Sequence, residues 1–134
     1  MNEINQWFKL AEGDLESAKY LLGLHPYKLE VICYLCEQST EKMLKGFLAA
    51  TVKEIPKSHD LMKLCRLCME KDKEFDQLFD SCSRLMPYAV QIRYPYHAEL
   101  YEEDMHIALK DANKVMEIVR PKIQLILDKV KQMS

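Results

Sequence analysis

One stretch constrains the fold of this chain more than any other: residues Glu30 to Ala50, which read EVICYLCEQSTEKMLKGFLAA. At about 100° per residue, one side of the helix that they predict carries Cys33, Cys36, Thr40, Met43, Leu44 and Phe47. The opposite side carries a polar stripe of Gln38, Glu41, Lys42 and Lys45. On that polar side, the first turns also carry apolar bulk from Val31, Tyr34 and Leu35. Such a helix needs neighbours on more than one side, so we predict that it is the central helix of a bundle, or is buried partly by a second copy.

The composition favours an all-α fold. The chain has 134 residues, 49% of them hydrophobic and 30% charged, so we expect one domain, residues 1–134, with a full core. Its 3 glycines and 5 prolines leave few positions for the tight turns that a sheet of many strands requires. Good helix formers such as Leu, Lys, Glu, Met and Ala are abundant.

The charge pattern excludes a global attraction to polyanions. The net charge is -2, the pI is about 6.1, and the lysines are scattered among acids. Any nucleic-acid binding must therefore be local. No apolar run approaches the roughly 20 residues of a membrane-spanning helix, and the polar start MNEINQ lacks the features of a signal peptide. We therefore expect a cytoplasmic protein with no membrane partner.

Helical periodicity continues on both sides of the central stretch. A first helix is predicted by an apolar stripe of Ile4, Phe8, Ala11, Leu15, Ala18 and Leu22. The segment GLHP ends it, so the first two helices should be antiparallel neighbours. Ser58 is the expected N-cap of a short third helix, and Pro87 is expected to disturb or end a fourth. A last helix should begin near Glu102, and Pro121 is expected to kink or interrupt it.

Two CxxC pairs, Cys33/Cys36 and Cys65/Cys68, raise the alternative of a four-cysteine zinc site. Each pair lies in an apolar helical run without the glycine-rich turns that wrap a metal, and its i, i+3 spacing fits packed core thiols. The total of 5 cysteines is odd. We therefore expect reduced thiols, no disulfide framework, no metal and no cofactor.

The candidate catalytic pair is Arg93 and His97, in the segment YAVQIRYPYHAELY at residues 88–101. Arginine can hold a phosphate through two hydrogen bonds, and histidine can move a proton near neutral pH. Metal-free cleavage of an RNA phosphodiester requires both abilities. Tyr94 and Tyr96 are candidates for stacking on a base. The structural alternative is that Arg93 ties this loop to helix carboxylates while the tyrosines pack beneath it.

Three further residues are candidate ligand contacts: Lys42 and Lys45 on the central helix, and His59 at the start of the third helix. For the lysines, the alternative is a solvated polar face held by i, i+4 pairing with acids. For His59, the alternative is a polar residue that fixes the loop through hydrogen bonds. Both alternatives stay open from the sequence.

Four motifs together resemble the HEPN family of helical nucleotide-binding domains. They are AEGDLESAKYLL in the first helix, YLCEQSTEKMLKGFL in the second, SHDLMKL at the entry to the third, and IRYP before the last. The resemblance covers nearly the whole chain. It implies a four- to five-helix up-and-down bundle that commonly forms a homodimer.

The resemblance implies two kinds of function. Many members are similar to metal-independent endoribonuclease toxins, whose Arg and His form a composite site between two protomers. Others resemble nucleotide-binding partners of minimal nucleotidyltransferases. In this chain only 3 residues separate Arg93 from His97, a shorter spacing than in the nuclease members, and the residue after the Arg is aromatic. This favours a non-catalytic, dimeric, nucleotide- or RNA-associated module that acts with a nucleotidyltransferase in a toxin–antitoxin-like pair; an endoribonuclease toxin and a protein-only assembly module are the alternatives.

Overall fold

The computed structural model describes residues 2–52, 54–91 and 99–133. Across those residues the chain is helical and contains no β-strand, which confirms the predicted all-α class. The α-helices are α1 (Asn2–Tyr20), α2 (Leu29–Thr51), α3 (Leu61–Lys71), α4 (Phe79–Leu85), α5 (Tyr88–Gln91) and α6 (Glu102–Met133). Short 3₁₀ segments at Leu21–Gly23 and Lys73–Leu78 follow α1 and precede α4. None of the described helices is both long and apolar enough to cross a bilayer.

Helix α2 is the centre of the bundle, as its sequence predicts, and it contacts α1, α3, α4, α5 and α6. Its predicted apolar face is buried at Cys33, Cys36, Met43, Leu44 and Phe47. The predicted stripe of α1 is likewise buried at Ile4, Phe8, Ala11, Leu15 and Ala18. Because these two faces meet, the antiparallel α1–α2 pair forms the largest contact of the fold.

Three helices approach one another at Gly46 in α2. A Cβ atom built on Gly46 would lie 3.3 Å from Trp7 Cβ in α1 and 3.4 Å from Ile123 Cδ1 in α6. The first distance is tighter than ordinary van der Waals contact, and the second lies at the lower limit of such contact. The absence of a side chain at this position therefore allows α1 and α6 to pack closely on α2.

The cap of α3 differs from the expectation. Asp60, not Ser58, is the N-cap, and its Oδ1 accepts hydrogen bonds from the backbone N–H groups of Met62 at 3.0 Å and Lys63 at 3.1 Å. Ser58 Oγ instead accepts from the backbone N–H of Asp60 at 3.1 Å. Both residue types suit a cap, and the helix begins at the one that reaches two free N–H groups.

Of the two outcomes expected at Pro121, a kink or an interruption, the interruption does not occur, because α6 continues through Pro121 from Glu102 to Met133. Pro121 is exposed, while Val119 and Ile123 on either side are buried. The proline costs one backbone hydrogen bond on the solvent side. Packing of the buried neighbours holds the helix together across that position.

Candidate functional site

The sequence-predicted catalytic pair lies outside the described residues. Arg93, Tyr94, Tyr96 and His97 all belong to the segment between Gln91 and Glu99. Their roles in catalysis and base stacking remain predictions.

Lys42 contacts a carboxylate of the neighbouring helix. Its Nζ lies 2.5 Å from Asp14 Oδ2, and both side chains are about four-fifths buried, with 21% of each exposed. This ion pair ties α2 to α1. A ligand role for Lys42 stays a prediction, and Lys42 does not line the cavity that Lys45 and His59 share.

Lys45 and His59 share one carboxylate, that of Glu41. Glu41 Oε2 lies 3.2 Å from Lys45 Nζ and 2.9 Å from His59 Nδ1. Glu41 and Lys45 are each only 5% exposed, so the interpretation of this stripe as a solvated face is wrong for these two residues. A buried carboxylate that contacts both a lysine and an imidazole fixes both of them in position.

A cavity of about 360 Å³ opens beside this cluster, and we call it the Trp7 cavity. It is lined by Glu3, Trp7, Lys45, Ile55, Pro56, Lys57 and His59. Lys45 Nζ lies 5.6 Å from the centroid of the Trp7 ring, within cation–π distance. The cavity thus combines two lysines, an imidazole and an indole with one opposing carboxylate.

The geometry of His59 leaves one ring nitrogen for a ligand. Nδ1 is engaged by Glu41, while the side chain as a whole is 76% exposed. Nε2 is therefore available to accept a hydrogen bond when the ring is neutral and to donate one when it is protonated. In its protonated form the ring can therefore donate a hydrogen bond from Nε2 to an anionic oxygen.

The sequence did not point to Trp7 and Lys57 as site residues. Trp7 belongs to the widened apolar stripe of the first helix, and Lys57 lies in the loop KEIPKSH. Only the folded arrangement brings them to Lys45, because they come from segments far apart in the sequence. The one local signal for this site in the sequence is the run Lys57-Ser58-His59 just before α3.

Glu37 is a fully buried carboxyl group in the same helix, with 0% exposure. Oε1 accepts a hydrogen bond from Gln38 Nε2 at 2.8 Å, while Oε2 has no partner among the described atoms. Burial, together with the nearby Glu41 carboxylate, raises the pKa of Glu37 from the ordinary 4.5 to about 7. The group therefore titrates near neutral pH inside the bundle.

A second cluster of charges joins α4 to α6. Arg84 forms a bidentate pair with Asp111: Nε donates to Oδ2 at 2.9 Å and Nη2 donates to Oδ1 at 2.7 Å. Ser81 Oγ also donates to Asp111 Oδ1 at 2.9 Å. Asp111 is 4% exposed, and the sequence carries a signal for it, since it interrupts the apolar stripe at Ala108 and Ala112.

The cysteines are all buried and free of disulfides. Burial raises the pKa of the Cys33 thiol and of the Cys36 thiol to about 12. Within residues 2–52, 54–91 and 99–133, no group of three or more His, Cys, Asp and Glu side chains is arranged to hold a metal ion.

Comparison with known proteins assigns the family. The fold is similar to TT1696 from Thermus thermophilus, with a TM-score of 0.79 and 25% identity over 91% of this chain and 99% of that one. It is also similar to ST0689, an archaeal HEPN homologue, with a TM-score of 0.68 and 25% identity over 92% and 99% of the two chains. No curated protein matched the sequence. The sequence model of the HEPN domain matches residues 4–123, and the chain therefore belongs to the HEPN family.

Proposed function

We propose that this HEPN chain is a dimeric, non-catalytic module that binds the phosphate of a nucleotide or RNA and acts with a minimal nucleotidyltransferase in a toxin–antitoxin-like pair. The observation that carries the binding part of this proposal is the Trp7 cavity, in which Lys45, Lys57 and His59 converge beside an indole. Cations recognise phosphate oxygens, and an indole face stacks on a base.

The Trp7 cavity supports binding in three respects. Its volume of about 360 Å³ lies in the range of small-molecule sites, about 300–1,000 Å³. Glu41 holds Lys45 and His59 before any ligand arrives, so little side-chain entropy is lost on binding. Lys57 is exposed and can close on the phosphate from the solvent side.

The same cavity favours binding over RNA cleavage. General acid–base cleavage without a metal uses one group to remove a proton and a second to donate one. Among the described residues that line the cavity, His59 is the single imidazole, so the cavity does not offer a pair of histidines for the two proton transfers. Arg93 and His97, with Tyr94 and Tyr96, remain the proposed second phosphate contact, and Lys42 remains a proposed accessory one.

The non-catalytic part is tested by cleavage of a mixed RNA pool in EDTA. We expect no cleavage by the wild type, Arg93→Ala or His97→Ala. Cleavage by the wild type that both substitutions abolish, leaving 2′,3′-cyclic phosphate ends, would instead establish the endoribonuclease alternative.

The binding part is tested by calorimetric titration with ATP. We expect Lys57→Ala to weaken binding by about tenfold, since one charge-assisted contact is worth about 1.4 kcal/mol. Lys63→Ala is the matched control, because Lys63 is exposed on α3 and lies outside the cavity. Equal affinities of the two variants would contradict the proposed site.

The dimer is proposed from the first turns of α2, where Val31, Tyr34 and Leu35 are half-buried in the single chain. A second copy that packs there would bury this apolar surface. By light scattering we expect a dimer for the wild type and a monomer for Tyr34→Glu. Tyr20→Glu is the control and should stay dimeric, because Tyr20 is the last residue of α1 and is 86% exposed.

The nucleotidyltransferase partner is proposed from the family resemblance and from the short spacing of Arg93 and His97. Co-expression with the nucleotidyltransferase encoded nearest to this chain should yield a complex that survives gel filtration. A neighbourhood without such a gene, together with failure to form any complex, would leave the protein-only assembly module as the better account.

A further inference from the structure

Three of the five buried cysteines lie together between α3 and α4. Cys65 and Cys68 belong to α3, Cys82 belongs to α4, and all three are 0% exposed. The thiols of Cys65 and Cys82 are hydrogen-bonded to each other, although they come from different helices. Two thiols in direct contact need only a small movement to reach the distance of a disulfide bond.

The hydrogen bonds around this pair give its two thiols different roles. Cys65 Sγ donates its proton to the backbone carbonyl of Phe75 at 3.5 Å, so the thiol of Cys82 donates to Cys65 Sγ. A donated hydrogen bond stabilises a thiolate, and this bond lowers the pKa of Cys65. The same bond, together with burial, raises the pKa of Cys82. Cys65 is therefore the nucleophile of the pair, and Cys82 keeps its proton.

The other three cysteines are less suited to oxidation. Cys68 Sγ donates to the backbone carbonyl of Leu44 at 3.7 Å, and burial raises the pKa of Cys68. Burial also raises the pKa of Cys33 and of Cys36 to about 12. Because a thiol reacts with an oxidant through its thiolate, these three cysteines react more slowly than Cys65.

An oxidant reaches the pair only through a local opening, since both sulfur atoms are buried. Helix α4 has 7 residues, and its N-cap Leu78 makes no side-chain hydrogen bond to the helix. Short helices without caps open at a lower free energy than the centre of a bundle. Ser81 and Arg84 tie α4 to Asp111 of α6, so the opening is infrequent and sets the rate of oxidation.

We propose that Cys65 and Cys82 form a peroxide-sensitive dithiol, which hydrogen peroxide converts to a disulfide bond between α3 and α4. The inference does not depend on the proposed function, since neither cysteine lines the Trp7 cavity. Disulfides of this kind inside a reducing cell are transient and redox-sensing, and a thiol reductant reverses them by exchange.

The oxidation proceeds in two steps. The Cys65 thiolate attacks one oxygen of hydrogen peroxide, the O–O bond breaks, and the hydroxide that leaves takes up a proton to become water, which leaves a sulfenic acid on Cys65. The Cys82 sulfur then attacks the Cys65 sulfur, the S–O bond breaks, and the leaving hydroxide departs with the Cys82 proton as a second water. Two thiols are thus oxidised to one disulfide while one peroxide is reduced to two waters.

The test treats the folded full chain with hydrogen peroxide, blocks the remaining thiols with iodoacetamide in urea, and maps the tryptic peptides by mass spectrometry. Trypsin places Cys65, Cys68 and Cys82 in separate peptides, residues 64–66, 67–71 and 74–84. We expect peptide 64–66 to be linked to peptide 74–84 and peptide 67–71 to be alkylated. A dithiol reductant should abolish the link.

Two variants separate the roles of the thiols. Cys82→Ala should form no link and should leave Cys65 as a sulfenic acid, which dimedone labels. Cys68→Ala is the matched control, because it removes a buried thiol from the same helix as Cys65, and it should form the link like the wild type. The peptide map of the wild type tests the proposal even where a variant folds poorly.

Oxidation should also stabilise the chain. The disulfide closes the loop between α3 and α4 and thereby restricts the unfolded state, so we expect the melting temperature to rise by about 10 °C. An unchanged melting temperature after oxidation would contradict the predicted link. The proposal would be overturned by the absence of a linked peptide from the folded wild type, by a link between any other two cysteines, or by a link that forms only in urea.

Discussion

His59 Nδ1 lies 2.9 Å from Glu41 Oε2, although the two residues are 18 positions apart in the sequence. The carboxylate is nearly buried and the imidazole is mostly exposed, so the pair connects the interior of the bundle to its surface. The same oxygen also holds Lys45 Nζ at 3.2 Å. One buried acid thus orients a lysine and an imidazole toward the Trp7 cavity.

Removing the charge of Lys45 should destabilise the fold. In Lys45→Met, the Glu41 carboxylate keeps only the exposed His59 as a partner on Oε2. Its other oxygen, Oε1, has no hydrogen-bond partner among the described atoms. Breaking a buried ion pair costs about 3 kcal/mol, and urea denaturation measures the free energy of unfolding. Lys63→Met, at an exposed position, should change it by less than about 0.5 kcal/mol. Similar values for the two variants would show that the Glu41 pair does not stabilise the bundle.

The buried Glu37 carboxyl group should make the free energy of unfolding depend on pH, because its pKa differs between the unfolded and the folded chain. Its pKa rises from the ordinary 4.5 to about 7 in the folded chain, so the folded state binds the proton more tightly. The contribution of Glu37 to the free energy of unfolding is therefore largest below about pH 4.5. It falls by roughly 3 kcal/mol in total as the pH rises to about 7.

The variant Glu37→Gln should remove this dependence, since its amide does not ionise. At pH 8 it should be more stable than the wild type, and the difference should vanish at pH values near 4. Lys42, Lys45 and Glu41 also influence Glu37, so chemical denaturation is compared between the variant and the wild type at each pH. Parallel stability curves across this range would refute a neutral-range pKa for the buried carboxyl group.

The Arg84–Asp111 pair should stabilise the contact between α4 and α6. Arg84→Met leaves the buried Asp111 carboxylate with Ser81 as its one remaining partner among the described residues. Because the guanidinium is half-exposed, we expect a loss of about 2 kcal/mol, less than for a fully buried pair. Thermal unfolding measures this loss. Arg66→Met, which removes an exposed arginine of α3, should lower the melting temperature less.

Alanine should stabilise the chain at one helical glycine and not at another. A Cβ on Gly13 would have no atom within 4 Å, so Gly13→Ala should stabilise the chain by about 0.5–1 kcal/mol. At Gly46 the new methyl group would meet Trp7 Cβ at 3.3 Å, and the variant should be about 1 kcal/mol less stable than Gly13→Ala. Calorimetric melting of both variants settles the order, and equal stabilisation would mean that the α1–α2 contact can relax.

Much of the fold follows from local periodicity. The spacing of Phe8, Ala11 and Leu15 predicts the buried face of α1, and Met43, Leu44 and Phe47 do the same for α2. Continuity of α6 through Pro121 was not predictable in this way, since it depends on the packing of Val119 and Ile123. Tertiary burial there outweighs a local helix breaker.

The candidate site was predictable only in part. Lys45 and His59 were identified as candidates, but their common partner depends on the path of the loop after α2. Burial of Glu41 and Lys45 was missed because helical periodicity places them on a polar face, and Trp7 and the loop that cover this face are distant in sequence. The same reason explains why the partnership of Arg84 and Asp111 was missed, since 27 positions separate them.

The most direct test of the proposed phosphate site is a nucleotide titration followed by tryptophan fluorescence. The chain contains 1 tryptophan, and Trp7 lines the cavity, so its emission reports on that site alone. We predict saturable quenching by ATP in the wild type and in the control Lys63→Ala, with a midpoint about tenfold higher in Lys57→Ala. Unchanged emission of the wild type at saturating nucleotide, or the same midpoint in Lys57→Ala, would contradict nucleotide binding at the Trp7 cavity.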